Sequence, residues 1–272
     1  MNVPEKLYLV MGIIYLVWGV GYMLIGLFWD GVCGWRNNNY FDARTGLGTA
    51  IWNVPAPLNP AHTFKGVSNS VLLAIAFIIQ GIGFIYTYAR LDEYKKQMED
   101  NLVATLWTTW AFSDPFIFLV LASLAGASNT IVFVNIAVLG VVLAYLQVSN
   151  EAVNSVKTRA RQDADALETT DRWWHAEGWF MATFVFLWIA AIDIVYFATG
   201  TLNASLSLPL IGFFVFFPLF VYLVLHFTIL GFTNTQKPWD PVAKEWWFHV
   251  AKFLMLVSTT IATFVYTSPS CL

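Results

Sequence analysis

Charge is what this 272-residue chain has least of: Asp, Glu, Lys and Arg together make up 11% of it. A soluble domain needs a polar coat over its apolar interior, and disordered chains and nucleic-acid binders need more charge still, so these classes and an ordinary cytosolic enzyme are excluded. The net charge of −3 is too small to name an acidic or basic partner. Cysteine occurs only as Cys33 and Cys271, which leaves no Cys-x-x-Cys site. Histidine is equally sparse, and His62, His175, His226 and His249 are scattered, so neither a His-Glu-x-x-His site nor any other metal centre is expected. With no phosphate loop or nucleotide fingerprint either, no enzyme activity is expected.

Apolar surface is abundant instead, at 58% of residues, with 13 Trp and 11 Tyr suited to interfacial belts. The solvent must be lipid, in which a crossing helix needs about 20 apolar residues. Seven runs are long enough: about 7–28, 70–90, 103–126, 129–149, 178–199, 206–232 and 246–267. The expected fold is an all-α membrane protein, a single seven-transmembrane-helix bundle over residues 1–272. The first run lacks a basic leader and is too long for a signal-peptide core, so it is expected to remain as a helix.

Lys and Arg accumulate on the cytoplasmic side of membrane proteins. With the N-terminus inside, that side holds Lys6, Arg90, Lys95, Lys96, Lys157, Arg159, Arg161, Arg172, Lys237 and Lys244, against Arg36, Arg44 and Lys65 outside. Ten to three predicts N-terminus in and C-terminus out, with Lys252 inside the last span. Residues 29–69 are rich in Gly, Asn and Pro and predict an ordered outer loop. Residues 150–173 alternate in charge and predict a cytoplasmic loop, helical or extended, that acts as a spacer. Cys33 and Cys271 fall on the same outer side and are a candidate disulfide. Asn203 heads a glycosylation sequon in a short outer loop, a motif that is often incidental.

Polar groups inside a bilayer are costly and therefore functional candidates. Four stand out: Lys252 in the last span, Asp114 beside Pro115 in the third, Asp193 in the fifth and His226 in the sixth. One reading makes Lys252 the amine of a Schiff base with an aldehyde, neutralised by Asp114. The other makes it a snorkelling lysine and Asp114 a helix-bend aspartate satisfied by neighbours and water. No continuous polar stripe that would line an ion path is expected. The aromatic run Phe213 to Phe217 reads as helix packing.

Several motifs carry a resemblance. Tyr94-Lys-Lys closes the short inner loop, Trp107-Thr-Thr-Trp-Ala-Phe-Ser113 opens the third span, and Tyr145-Leu-Gln147 closes the fourth. With seven helices, an inner N-terminus and a long first outer loop, the chain resembles the heliorhodopsins, whose third helix opens Trp-x-Glu-Tyr-Ser-x-Ser and whose fourth ends Trp-Leu-Gln. About a third of the chain carries the match. Phe216-Phe217 resembles the family's Phe-Phe-Asn-Ser, with Pro218 and Leu219 in place of the polar pair.

The resemblance also implies departures. The family's counterion glutamate falls on Thr109, and its retinal lysine, eleven residues after an inner glutamate matched by Glu245, falls on Leu256. The histidines expected in the first and second helices become Tyr15 and Ile85. Losing both ends of an ion pair together is electrostatically coherent, since either alone would be an unpaired buried charge. Lys252 lies one turn before Leu256 and is a displaced attachment point; in the family's register Asp114 would stand about 13 Å farther from it along the axis.

The expectation that follows is a heliorhodopsin-like protein without the usual retinal site, acting as a sensory, binding or structural subunit, with Thr109 and Leu256 as packing residues; the candidate cofactor-binding positions are Asp114, Thr109, Leu256 and Phe217, with Lys252 only if retinal is bound. The alternatives are a retinal photoreceptor or light-driven ion transporter with its chromophore on Lys252, and a non-photochemical channel or transporter. The partners expected are the lipid bilayer, a second copy as the resemblance implies, and a larger membrane complex, with no nucleic acid.

Overall fold

The computed structural model describes residues 5–28, 69–100, 102–124, 130–160 and 241–265, with scattered helical positions within 184–191 and 217–221. These residues form six helices: α1 (Glu5–Phe28), α2 (Asn69–Ala89), α3 (Leu91–Glu99), α4 (Ala104–Leu124), α5 (Thr130–Ala160) and α6 (Pro241–Val265). Four of them, α1, α2, α4 and α5, are long and apolar enough to cross a membrane. The described residues are thus all helical, with four helices long and apolar enough for a multi-pass membrane protein.

The apolar runs 7–28, 70–90, 103–126 and 129–149 coincide with those four helices, and the run 246–267 with α6. The runs 178–199 and 206–232 fall almost wholly outside the described residues, as do the loop 29–69, Cys33, Cys271, Asn203, Asp193 and His226. The charged segment, expected as helical or extended, is helical over its first part, and one stretch expected as a loop is also helical. α5 runs on through the charged segment as far as Ala160. The segment after Arg90 folds as α3, because Leu91, Tyr94 and Met98 recur at helical spacing and bury Tyr94 and Met98, while Asp92, Glu93 and Lys96 face out.

Small residues bring α1 and α2 together, as membrane helices require when lipid offers no hydrophobic drive. A Cβ on Gly81 would stand 2.8 Å from the Leu16 side chain and 3.0 Å from the Gly12 carbonyl oxygen. The approach of the two backbones therefore depends on glycine at this crossing.

α1 lies parallel to α6 and presents a tyrosine every second turn: Tyr8, Tyr15 and Tyr22, each nearly fully buried. Tyr8 meets Glu245 and His249, Tyr15 sits edge-on to Phe253, and Tyr22 bonds Thr263. α2 runs the opposite way, stacking Phe84 on Tyr15 and Phe77 on Trp18. α4 packs on α6 through Trp107 and Trp110, both edge-on to Phe248 at 5.6 and 6.1 Å between ring centres. These contacts fix the level of each helix against α6, and so of every polar group in the core.

Candidate functional site

One turn along from the Trp110–Phe248 contact, α4 reaches Asp114 and α6 reaches Lys252. The Lys252 ammonium and an Asp114 carboxylate oxygen form an ion pair, with the two side chains 2% and 1% exposed. The Trp110 ring lies 3.9 Å from Lys252 Nζ, placing the cation on its electron-rich face. Asp114 also accepts a 3.0 Å hydrogen bond from the Ser113 hydroxyl, and Ser113 accepts one of 2.6 Å from Gln80 Nε2 in α2. Charge withdrawn from solvent is thus neutralised and hydrogen-bonded across three helices, the condition under which a buried pair is tolerated.

This geometry corrects two expectations. Lys252 does not snorkel, since its amine ends in the core. Nor is Asp114 out of its reach. The separation of about 13 Å followed from the family's register, which sets Thr109 opposite Leu256; the aromatic layer sets another, with Trp110 level with Phe248 and Lys252. Thr109 lies against Gly83 of α2, where a Cβ would collide with its side chain, and its hydroxyl donates to the Thr105 carbonyl. Leu256 is fully buried in the apolar core, and Phe217 is a half-buried helical residue. Tyr15, at the place of the family's first histidine, packs among Phe77, Phe84 and Phe253.

A second polar cluster lies toward the start of α6. Glu245 Oε1 accepts hydrogen bonds from Tyr8 (2.8 Å), from Tyr94, and from His249 Nε2 at 3.0 Å. Glu245 Oε2 is buried and has no hydrogen-bond partner among the described residues. Beyond this cluster, Glu5 in α1 and Lys95 in α3 form an exposed ion pair at 2.9 Å, one turn from Tyr8 and one residue from Tyr94.

Sequence reasoning missed how these groups line up. Positions 245, 249, 252, 256, 259 and 263 recur every three or four residues and form one buried face of α6, carrying Glu, His, Lys, Leu, Thr and Thr. A polar row does exist there, broken once, at Leu256. No group of three or more metal-binding side chains occurs among the described residues.

No protein-family model matches the chain, and no curated protein aligns with it significantly.

The position that the resemblance assigns to a retinal lysine does not suit that cofactor. Leu256 offers only an alkyl side chain, and the Thr109 hydroxyl is turned to its own helix backbone.

Proposed function

We propose that the chain is a heliorhodopsin-like membrane protein of seven spans, N-terminus inside, that works without retinal at the usual position. In this reading it is a sensory or binding subunit whose centre is the Lys252–Asp114 pair. The observation that carries it is the pair itself: two opposite charges meet in the core of α4 and α6, at a level where neither Thr109 nor Leu256 takes part. Ionisable residues inside a membrane domain mark working sites, and here the amine is held by a carboxylate and an indole face. The break at Leu256 in the polar row of α6 argues for a sensor over an ion path.

Absorbance of the purified protein with excess retinal tests this. A colourless protein is expected. A visible band would overturn it, and loss of that band in Lys252→Ala would establish the second reading, in which an aldehyde chromophore binds Lys252. The observation favouring that second reading is the buried amine beside a carboxylate.

A further inference from the structure

Glu245 receives three donors on one carboxylate oxygen while the other, equally buried, has no hydrogen-bond partner among the described residues. A proton arriving on Oε2 would make an O–H bond without breaking any of the three hydrogen bonds already made. His249, at 3.0 Å from Oε1, supplies a second group that takes and gives protons. We infer that Glu245 and His249 form a proton-binding site reached from the end of the bundle where α1 and α6 begin, and that its occupancy is felt by the Lys252–Asp114 pair. The inference holds whether or not Lys252 carries a chromophore.

Three features support access from that end alone. The exposed Glu5–Lys95 pair lies one turn from Tyr8 and next to Tyr94, so the cluster sits about one helical turn beneath the surface. Tyr8 and Tyr94 come from two different helices and close over Glu245. Past Lys252 the polar row stops at Leu256, so a proton taken up at Glu245 meets an apolar turn before the threonines beyond it.

Coupling follows from charge and distance. Among the described residues, the groups facing Glu245 are Tyr8 from α1, Tyr94 from α3 and His249 on its own helix, with Phe84 of α2 against the imidazole at 4.6 Å. The next charge inward among the described residues is Lys252, three residues from His249 and about 4.5 Å farther along the helix axis. Taking one proton from water raises the cluster's charge by one unit, beside an ammonium whose balance depends on Asp114. Linkage is reciprocal, so altering either member of the pair must alter proton uptake at Glu245.

Infrared spectroscopy of the full-length protein in lipid vesicles, read at the protonated-carboxyl stretch while pH is stepped on one side, tests this. The band is expected to grow on acidification at the face bearing the N-terminus, to ignore acidification of the opposite face, and to vanish in Glu245→Gln. Lys252→Met removes a positive charge and is expected to move the band's midpoint to higher pH, equivalent to about tenfold in proton concentration; Asp114→Asn is expected to move it the opposite way. A titrating band that survives Glu245→Gln, a response to either face, or midpoints that do not move would overturn the inference. Should both pair variants fail to fold, the side-dependence and Glu245→Gln arms still decide it.

Discussion

Asp114 and Lys252 stand 138 positions apart in the chain, yet their charges meet in the core with almost no exposure to solvent. Each is tolerable there only because of the other. The pair ties α4 to α6 at one level, and the Trp110 face covers the ammonium.

Removing one member should therefore hurt more than removing both. Asp114→Asn or Lys252→Met alone leaves an uncompensated buried charge and should destabilise by about 3–5 kcal/mol, whereas Asp114→Leu combined with Lys252→Met should recover most of that loss. Thermal unfolding in detergent, followed by tryptophan fluorescence, checks this. A double variant as unstable as the worse single one would show that the pair is more than mutual neutralisation.

The helices themselves were legible in the sequence. Runs such as 70–90 and 103–126 are apolar enough that only a helix can satisfy their backbone in lipid, and α2 and α4 follow them closely. Lys252 and Asp114 were legible as candidates for the same reason, since charge in such runs is rare. Their contact was not legible. It depends on the level at which α4 and α6 pack, which Trp107, Trp110 and Phe248 determine through shape, and no spacing within one helix reveals it. The Glu245 cluster drew residues from α1, α3 and α6, and Tyr94 lay in a stretch read as loop. The signals available were the seven-residue repeat of Tyr8, Tyr15 and Tyr22 and the polar face of α6, both set within runs whose overall apolar character masks them.

Gly81→Ala sets two effects against each other. Alanine favours a helix over glycine by about 1 kcal/mol. Its Cβ would stand 3.0 Å from the Gly12 carbonyl oxygen and 2.8 Å from Leu16, and the backbone atom cannot swing aside as a side chain can. Overpacking of this kind costs about 1–3 kcal/mol, so net destabilisation is expected, seen as a lower unfolding midpoint. A more stable variant would mean that α1 and α2 lie farther apart.

Tyr8→Phe and Tyr94→Phe each remove one donor from Glu245 while keeping the ring. Each should cost about 1–3 kcal/mol, toward the upper part because the acceptor is a carboxyl oxygen with a second oxygen already lacking a partner among the described residues. The two losses should not add, because both donors serve one atom. Unfolding midpoints of the singles and the double measure this, and strict additivity would contradict a shared acceptor.

The last test asks which register α4 and α6 adopt. Leu256→Lys puts an amine where the heliorhodopsin resemblance places the retinal lysine, and Thr109→Glu restores the matching carboxylate. If the family's register held, the two would face each other, and the double variant would be more stable than either single. The structure argues otherwise: Trp110 is level with Phe248 and Lys252, so Thr109 lies about one and a half to two and a half turns below Leu256 and is turned to Gly83 of α2. Leu256→Lys should then bury a lone charge and destabilise strongly, and adding Thr109→Glu should not rescue it, because the carboxylate enters a space that Gly83 leaves only wide enough for threonine. Expression and unfolding midpoints of the three variants decide it. Rescue in the double would restore the family's pairing and move the centre of the molecule from Lys252 to residue 256.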